Sequence, residues 1–424
     1  MHQASEEAGL GVKVHEPLPI ARRCVRRRSA DYGGEMKRRD FLQGAAVGAG
    51  ILGTGVVPGR AEAASGKGDF YRVDAYCHFA PMEYIDLLEE MNAPIPPPNG
   101  QRAVIQGFRS MSDIDDRLRM MDDTGVDLSV FVPIPFIESA ANVARDPVKA
   151  LRAARFINDR MAEIVAGHPD RFKWVAQVPA NLPADVPSNY DVMIGEFERA
   201  VGNGAVGACF VVAPTAKPPD HEDYVGNPAT GKQGLFGKAE SLNVPLWMHP
   251  NRTPINADYT ADVPPVSRYN LALLLGWLLD TSVAMVRIAF SDVFSRHPNV
   301  KIICHHKGAL VALFQSRVSY ELYNQIGLDT GIPPSIPRPY LDLLRKFYVD
   351  TVFSGESAFE TEIVKIAYDF FGPDHMVFGT DASFGTNNGR DAVLDARHSV
   401  ENLRVPRKQI ENIFSNNILK IIPH

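Results

Sequence analysis

Three histidines and one aspartate stand at the ends of short apolar runs. His78 closes Arg72–His78, His249 closes Pro245–His249, His305 closes Val300–His305, and Asp381 follows Met376–Gly379. Neutral imidazoles beside a carboxylate form the donor set that Zn²⁺ or Mn²⁺ takes. A single strand-end histidine is more often a hydrogen-bonded structural residue, and a single Asp after Gly-Thr is usually a loop or cap residue. Their joint placement at four run ends argues for one centre. Tyr76 shares a strand face with His78 by two-residue alternation, and Cys77 faces the other way. Arg252, three residues past His249, sits where a cation would pair with a substrate carboxylate; the alternative is an ordinary surface arginine. Asp350 is placed to face the same centre or to orient a neighbour. Glu356 and Arg287 are weaker candidates, and Arg317 reads as half of a structural ion pair. His306 is expected on the opposite strand face in a structural role, and Lys307 in a solvated loop.

The elements that must position these residues come next. Eight runs rich in β-branched and aromatic residues recur: Arg72–His78, Asp127–Val132, Phe172–Val178, Val206–Val212, Pro245–His249, Val300–His305, Phe347–Val352 and Met376–Gly379. Most are almost unbroken apolar stretches, as strands buried on both faces require. Helical periodicity fills several gaps, at Ser112–Asp123, Pro147–Gly167, Leu271–Arg296 and Phe359–Phe371. Eight strands alternating with helices predict an α/β fold, a single-domain (β/α)8 TIM barrel. A doubly wound open sheet is the alternative, weakened because no G-x-G-x-x-G follows the first strand. Ala80–Phe108, with its run Pro94–Gly100, and Pro250–Arg268 stand outside the alternation. Both follow strand C-terminal ends, the face where barrels build sites; plain surface insertions are the other reading.

On these residues the chain resembles the amidohydrolase-related metal enzymes, closest to the branch of aminocarboxymuconate-semialdehyde decarboxylase and related aromatic-acid decarboxylases. The resemblance spans about Arg72 to Ile422. It rests on Asp74-x-Tyr76-x-His78, Trp247-Met248-His249, His305-His306-Lys307-Gly308-Ala309 and Phe378-Gly379-Thr380-Asp381, with the approach Gly276–Arg296 into His297-Pro298-Asn299-Val300-Lys301. It implies that His78 and His249 are metal ligands. Asp381 is then a ligand or a metal-adjacent proton carrier, and His305 the acid/base. The family is often dimeric, so a homodimer is also implied. Tyr76 departs from the pattern, which has His or, in some decarboxylases, Glu. A phenol titrates near ~10 and binds metal well only if the metal lowers that value. Three readings stay open. Tyr76 is a weak ligand; or it hydrogen-bonds a metal-bound water or the substrate beside a His78/His249/Asp381 site, the preferred reading; or the metal is lost.

The chain has 424 residues and a net charge of −6, with a pI near 6.1. Nothing in that balance supports nucleic-acid binding. Residues 1–63 carry ten Lys/Arg and seven Asp/Glu, so the remaining body holds 34 and 43 and stands at −9. Met36-Lys37-Arg38-Arg39-Asp40-Phe41-Leu42 opens a basic stretch, Gly44–Val57 is uncharged and apolar, and Ala61-Glu62-Ala63 is a small-residue cleavage site. Residues 36–63 thus read as a twin-arginine signal, and export as a folded protein to the periplasm or outside the cell is expected. The apolar run is too short to span a bilayer, which takes ~20 residues, and no stable membrane insertion of the body is expected. Residues 1–35 read as an extension, disordered or upstream of a true start at Met36. Residues 64–424 are the barrel. Cys77, Cys209 and Cys304 fall within strands and are expected to be inert core thiols.

The expected activity is metal-dependent, non-oxidative decarboxylation of a small aromatic or unsaturated carboxylic acid. Its residues would be His305, Asp381, Arg252 and Tyr76 around a Zn or Mn ion on His78, His249 and Asp381. Metal-dependent hydrolysis of an ester, lactone, amide or C–C bond needs the same Lewis acid and base. A non-catalytic exported binding protein is the third reading.

Overall fold

The computed structural model describes residues 70–93, 101–179, 189–213, 216–251, 271–324, 332, 335–336, 338–352 and 359–423. Residues 36–63, read above as a signal, residues 1–35, read as an extension, the proline run 94–100 and most of the connection 250–268 lie outside the described residues, as do Arg252 and Glu356.

The valine- and isoleucine-rich runs become parallel strands. They are β1 (Val73–His78), β2 (Leu128–Val132), β3 (Phe172–Trp174), β4 (Ala176–Gln177), β5 (Ala208–Val212), β6 (Leu246–Pro250), β7 (Ile302–Cys304) and β8 (Tyr348–Val349). Pairing runs β1-β2-β3 and then β4-β5-β6-β7-β8. β3 and β4 are one stave broken at Val175. Val175 N–H donates back to Phe131 O at 3.0 Å, and Ala176 N–H donates forward to Gly207 O at 2.9 Å. The eighth stave is Met376–Gly379. On one side Val377 N–H donates to Val349 O at 2.9 Å; on the other, Ala75 N–H donates to Phe378 O at 2.8 Å. These bonds join the last stave to β8 and to β1, so the order runs round a ring. The fold is the expected TIM barrel, and the open sheet is excluded.

Register sorts each strand's side chains into two sets. Gln177, Cys209, Trp247 and Ile303 are paired in sequence across β4 to β7. Cys209, Trp247 and Ile303 belong to the inner cluster with Ala75, Tyr76, Val130, Val175 and Val377. Partners in a parallel ladder share a face, so Gln177 also points inward. Cys77, Phe131, Trp174, Phe210, Met248 and Cys304 alternate with these and pack under the helices. Each fully buried large side chain contributes roughly 1.5–3 kcal/mol. The three described cysteines are free and buried, as expected. Burial raises each thiol well above its ordinary value.

The helices start and stop where their sequence says. Pro147–Gly167 forms as predicted, with Asp146 accepting from Val148 N–H at 2.9 Å and Lys149 N–H at 3.2 Å. Ile114–Thr124 is capped by Asp113 and ended by Gly125 at φ 73°. Glu360–Phe371 matches the shorter prediction. The long prediction Leu271–Arg296 is broken once: a π turn at Ala272–Gly276 runs straight into a helix at Trp277–Ala289, and Val293–Arg296 stands apart. Asp292, at φ 64°, supplies the break. Among the described residues, Ala272–Ala289 is long and apolar enough to cross a membrane by length and composition. It is a barrel helix that buries Thr281, Ala284, Met285 and Ile288.

Candidate metal centre

β1, β6 and β7 bring His78, His249 and His305 to one mouth of the barrel, where their donor atoms lie within 4.8 Å of one another. Each ring has its Nδ1 occupied. His78 Nδ1 meets Val132 O at 2.8 Å, and His249 Nδ1 meets Pro250 O at 2.5 Å. A carbonyl only accepts, so both Nδ1 atoms carry a proton and both Nε2 atoms are the ones left facing the centre. His305 Nδ1 meets Asp350 Oδ2 at 2.5 Å. This is how ligating histidines are usually oriented, by a carbonyl or carboxylate behind the ring. Asp381 Oδ1 stands 3.0 Å from His78 Nε2 and 3.6 Å from His305 Nε2. Yet His78 Nε2, His305 Nε2 and Asp381 Oδ1 are all buried without a well-aligned hydrogen bond among the described residues. Converging orphan nitrogens and a carboxylate oxygen are what a divalent cation satisfies. The residues present therefore fit a Zn or Mn ion by donor type and by convergence.

The electrostatics follow from burial and charge pairing. Burial pulls the His305 imidazole down, but Asp350, by charge and hydrogen bond, and then Asp381 outweigh it and lift His305 to about 9. Burial opposes ionisation of Asp381, yet His305 and His78 hold its carboxyl far below the usual range. Burial, followed by the His305 and His78 charges, pushes His249 well down. With the protein groups alone, the centre is an imidazolium at His305, a carboxylate at Asp381 and a neutral His249.

Three expectations need correction. Tyr76 does not offer its hydroxyl to the centre. The hydroxyl donates to Met248 O at 3.2 Å, and the ring stacks on His305 with centroids 3.9 Å apart and planes at 8°. Burial also drives the phenol well above its ordinary value, so it is neither an anionic ligand nor free to hold a bound water. His306 is not on a far face. The backbone turns left-handed at His306, φ 58°, and its ring joins His305 and Asp381 in a second donor group. Lys307 is not solvated: it is buried, donates to Val352 O and pairs with Glu360 at 2.8 Å. Asp350 does orient neighbours, accepting from Lys307 N–H at 2.9 Å as well as binding His305. Arg287 pairs with Asp220 at 2.7 Å, away from the histidines.

Supporting residues went unnoticed in the sequence. Arg117 is buried; it donates to the His78 carbonyl and, through Nε, to Ser110 O at 2.9 Å. Asp74 accepts from Thr380 Oγ1 at 2.6 Å and Thr380 N–H at 3.1 Å, tying β1 to the approach to Asp381. Burial raises Asp74 to about 7 against those bonds. Gly379 lets the last stave close in: a Cβ there would sit 2.9 Å from the Tyr76 Cβ and 3.0 Å from the Asp350 Cβ. Arg117 does not stand out in the sequence, because its helix also carries Asp115, Asp116, Arg119, Asp122 and Asp123; only the helical period, which sets it on the face of Met120, Met121 and Thr124, turns it inward.

The family profile described as amidohydrolase matches residues 73–423. The chain belongs to the amidohydrolase family. This amidohydrolase is 27% identical over 274 residues to gamma-resorcylate decarboxylase of a Rhizobium species, covering 64% of this chain and 76% of that one. It is 24% identical over 280 residues to 2-amino-3-carboxymuconate-6-semialdehyde decarboxylase of Dictyostelium discoideum, covering 64% and 67%. Among solved structures it resembles a dihydroxybenzoic acid decarboxylase from a Polaromonas species, solved with manganese and the inhibitor 2-nitroresorcinol. That match has a TM-score of 0.63 and 23% identity, and covers 83% of this chain and 96% of the other. At that identity the structural likeness speaks for the fold.

Proposed function

We propose that this amidohydrolase is a metal-dependent, non-oxidative decarboxylase of a small aromatic carboxylic acid. The observation that carries the reading is the convergence of the orphan His78, His305 and Asp381 atoms with His249. Decarboxylases among the relatives support the reaction class. His78, His249 and Asp381 would hold Zn or Mn. A divalent cation held there would supply Lewis acidity toward the substrate carboxylate.

The chain's own groups then handle the proton. His305, protonated and held by Asp350, faces the centre through Nε2. It delivers that proton to the ring carbon bearing the carboxylate. The C–COO⁻ bond breaks, its electron pair restores the ring, and CO₂ leaves. Asp381 keeps His305 charged until transfer, and Tyr76 fixes the imidazole plane from below. Arg252 is proposed as the cation that pairs with a second anionic group on the substrate. The test is CO₂ release from a panel of hydroxybenzoates by metal-loaded protein, run beside ester and lactone hydrolysis. CO₂ without hydrolysis is expected; hydrolysis alone overturns the lyase in favour of a hydrolase.

Export and self-association are proposed on the same footing. The pattern from Lys37-Arg38-Arg39 through Ala61-Glu62-Ala63 supports a twin-arginine signal and a periplasmic or secreted barrel. Cell fractionation should find the protein outside the cytoplasm, and Arg38→Lys with Arg39→Lys should retain it inside. A homodimer is supported by an apolar face. Leu274, Leu275, Leu279 and Val283 are exposed on one barrel helix, with Leu313, Phe314 and Ile366 also exposed. Leu278, Leu313 and Ile366 line one cavity of about 170 Å³, which joins the two groups.

A further inference from the structure

A second set of unpaired polar atoms sits on the β2–β5 side of the barrel mouth. Glu138 lies on the short helix Phe136–Ser139, which follows β2. Its Oε1 accepts from Gln177 Nε2 at 3.1 Å. Its Oε2 is closed off and has no partner among the described residues, and neither does the Gln177 Oε1. Gln177 is 1% exposed. It is in register with Cys209 and Trp247, so it points into the barrel from the end of β4. Cys209, the register partner of Gln177, packs in the same inner cluster as Tyr76, beneath the metal centre. The Tyr84 hydroxyl, buried and also unpaired, feels the Glu138 charge.

Two buried acceptors without donors are costly, each about 1–3 kcal/mol and more for a charged oxygen. Among the described residues, no lysine or arginine pairs with either atom. The bonds it does make, Gln177 N–H to Asn158 Oδ1 at 2.8 Å and Asn158 Nδ2 to Gln177 O at 2.9 Å, anchor the backbone of Gln177 and leave its side chain for Glu138. Asn158 is itself held by Glu196 at 2.8 Å. The pair is therefore a rigid acceptor with its supports already in place.

We propose that Glu138 and Gln177 form a specificity subsite that accepts a hydrogen bond from a hydroxyl or amino group on the ring of the substrate. This rests on the decarboxylase reading and names the substrate class more narrowly: aromatic acids with a donor on the ring, set against equally large acids without one. Glu138 does not bear on the bond that breaks, so it is a binding residue and not a proton carrier. A carboxylate near an anionic ligand would normally repel it. Burial raises Glu138 to about 7, which softens that repulsion.

The test is calorimetric titration of the metal-loaded protein with matched benzoates, each carrying hydroxyl or methyl at one ring position, followed by turnover of the same compounds. At one position the hydroxyl compound should bind at least about tenfold more tightly than its methyl twin. Glu138→Leu should bring that ratio to about one, with metal content and melting temperature kept. Glu138→Gln, which retains an acceptor oxygen, should keep part of the preference. The subsite is overturned if no position shows a preference, or if the preference survives in Glu138→Leu. The two readings fail differently: absence of all benzoate binding and turnover overturns both, whereas turnover with an unchanged ratio overturns the subsite alone.

Discussion

At the residue scale, the centre asks one histidine to bind and another to carry a proton. His249 has only Pro250 O behind it and is held neutral. His249→Ala should therefore lose most of the metal, read by elemental analysis, and with it all turnover. His305→Ala should keep metal on His78, His249 and Asp381 while kcat falls by about 10²–10⁴. Loss of metal in His305→Ala would make it a ligand instead. The His305–Asp350 bond also predicts a pH dependence. An ordinary histidine titrates near ~6.5, whereas His305 is lifted to about 9. A base bound more tightly in the folded state stabilises it fully below the unfolded value. That contribution disappears as pH rises through the folded value. In metal-stripped protein the melting temperature should fall between pH 6.5 and 9.5, by at most about 3 kcal/mol of stability. Asp350→Asn should flatten the slope.

At the element scale, the turn after β7 does what a strand end cannot. His306, Lys307, Gly308 and Ala309 all have positive φ, at 58°, 60°, 70° and 55°. The run swings His306 back toward Asp381 and buries Lys307 against Glu360. Gly308 is the tightest point, since a Cβ would meet the Phe371 ring at 2.6 Å and Val349 Cγ1 at 2.9 Å. Gly308→Ala should cost about 2–4 kcal/mol and lower kcat. Gly372→Ala, also at positive φ but with nothing within 4 Å, should cost about 1 kcal/mol without touching kcat. Denaturant midpoints and kcat together separate the two. The contrast also shows what could be read from residues alone. His78 and His249 were legible because each ends an apolar run, and period two fixes which face it takes; Asp381 was legible only by its place just after the last run, since its own backbone is left-handed at φ 57°. His306 and Lys307 were not, because period two stops where the backbone turns left-handed, and no local residue type announces that before Gly308. Tyr76 was misjudged for a different reason. Alternation placed its Cβ correctly, but Met248 O, which captures its hydroxyl, lies 172 positions away. Glu138 and Gln177 were invisible for the same cause, since they meet only where neighbouring staves lie side by side, 39 positions apart in the chain.

At the scale of the whole molecule, the barrel was legible as eight apolar runs, even though the last stave forms few regular ladder bonds. What the runs could not show was the apolar face on the helix after β6, because its leucines look like core until the ring is closed. A second copy on that face predicts a dimer by light scattering. Leu275→Asp with Leu279→Asp should give a folded monomer at the same concentration, whereas a persistent dimer would place the interface elsewhere. The three buried thiols carry a consequence of another kind. Cys77 and Cys304 adjoin His78 and His305 in the chain, and Cys209 lies inside the barrel. Cys77 and Cys304 meet an alkylating reagent only when the helices over their staves lift, and Cys209 only when the ring itself opens. The enzyme thus contains its own clocks for two kinds of opening. Mass-resolved labelling would time helix lifting at Cys77 and Cys304 and strand parting at Cys209, and a bound cation should slow the labelling of Cys209.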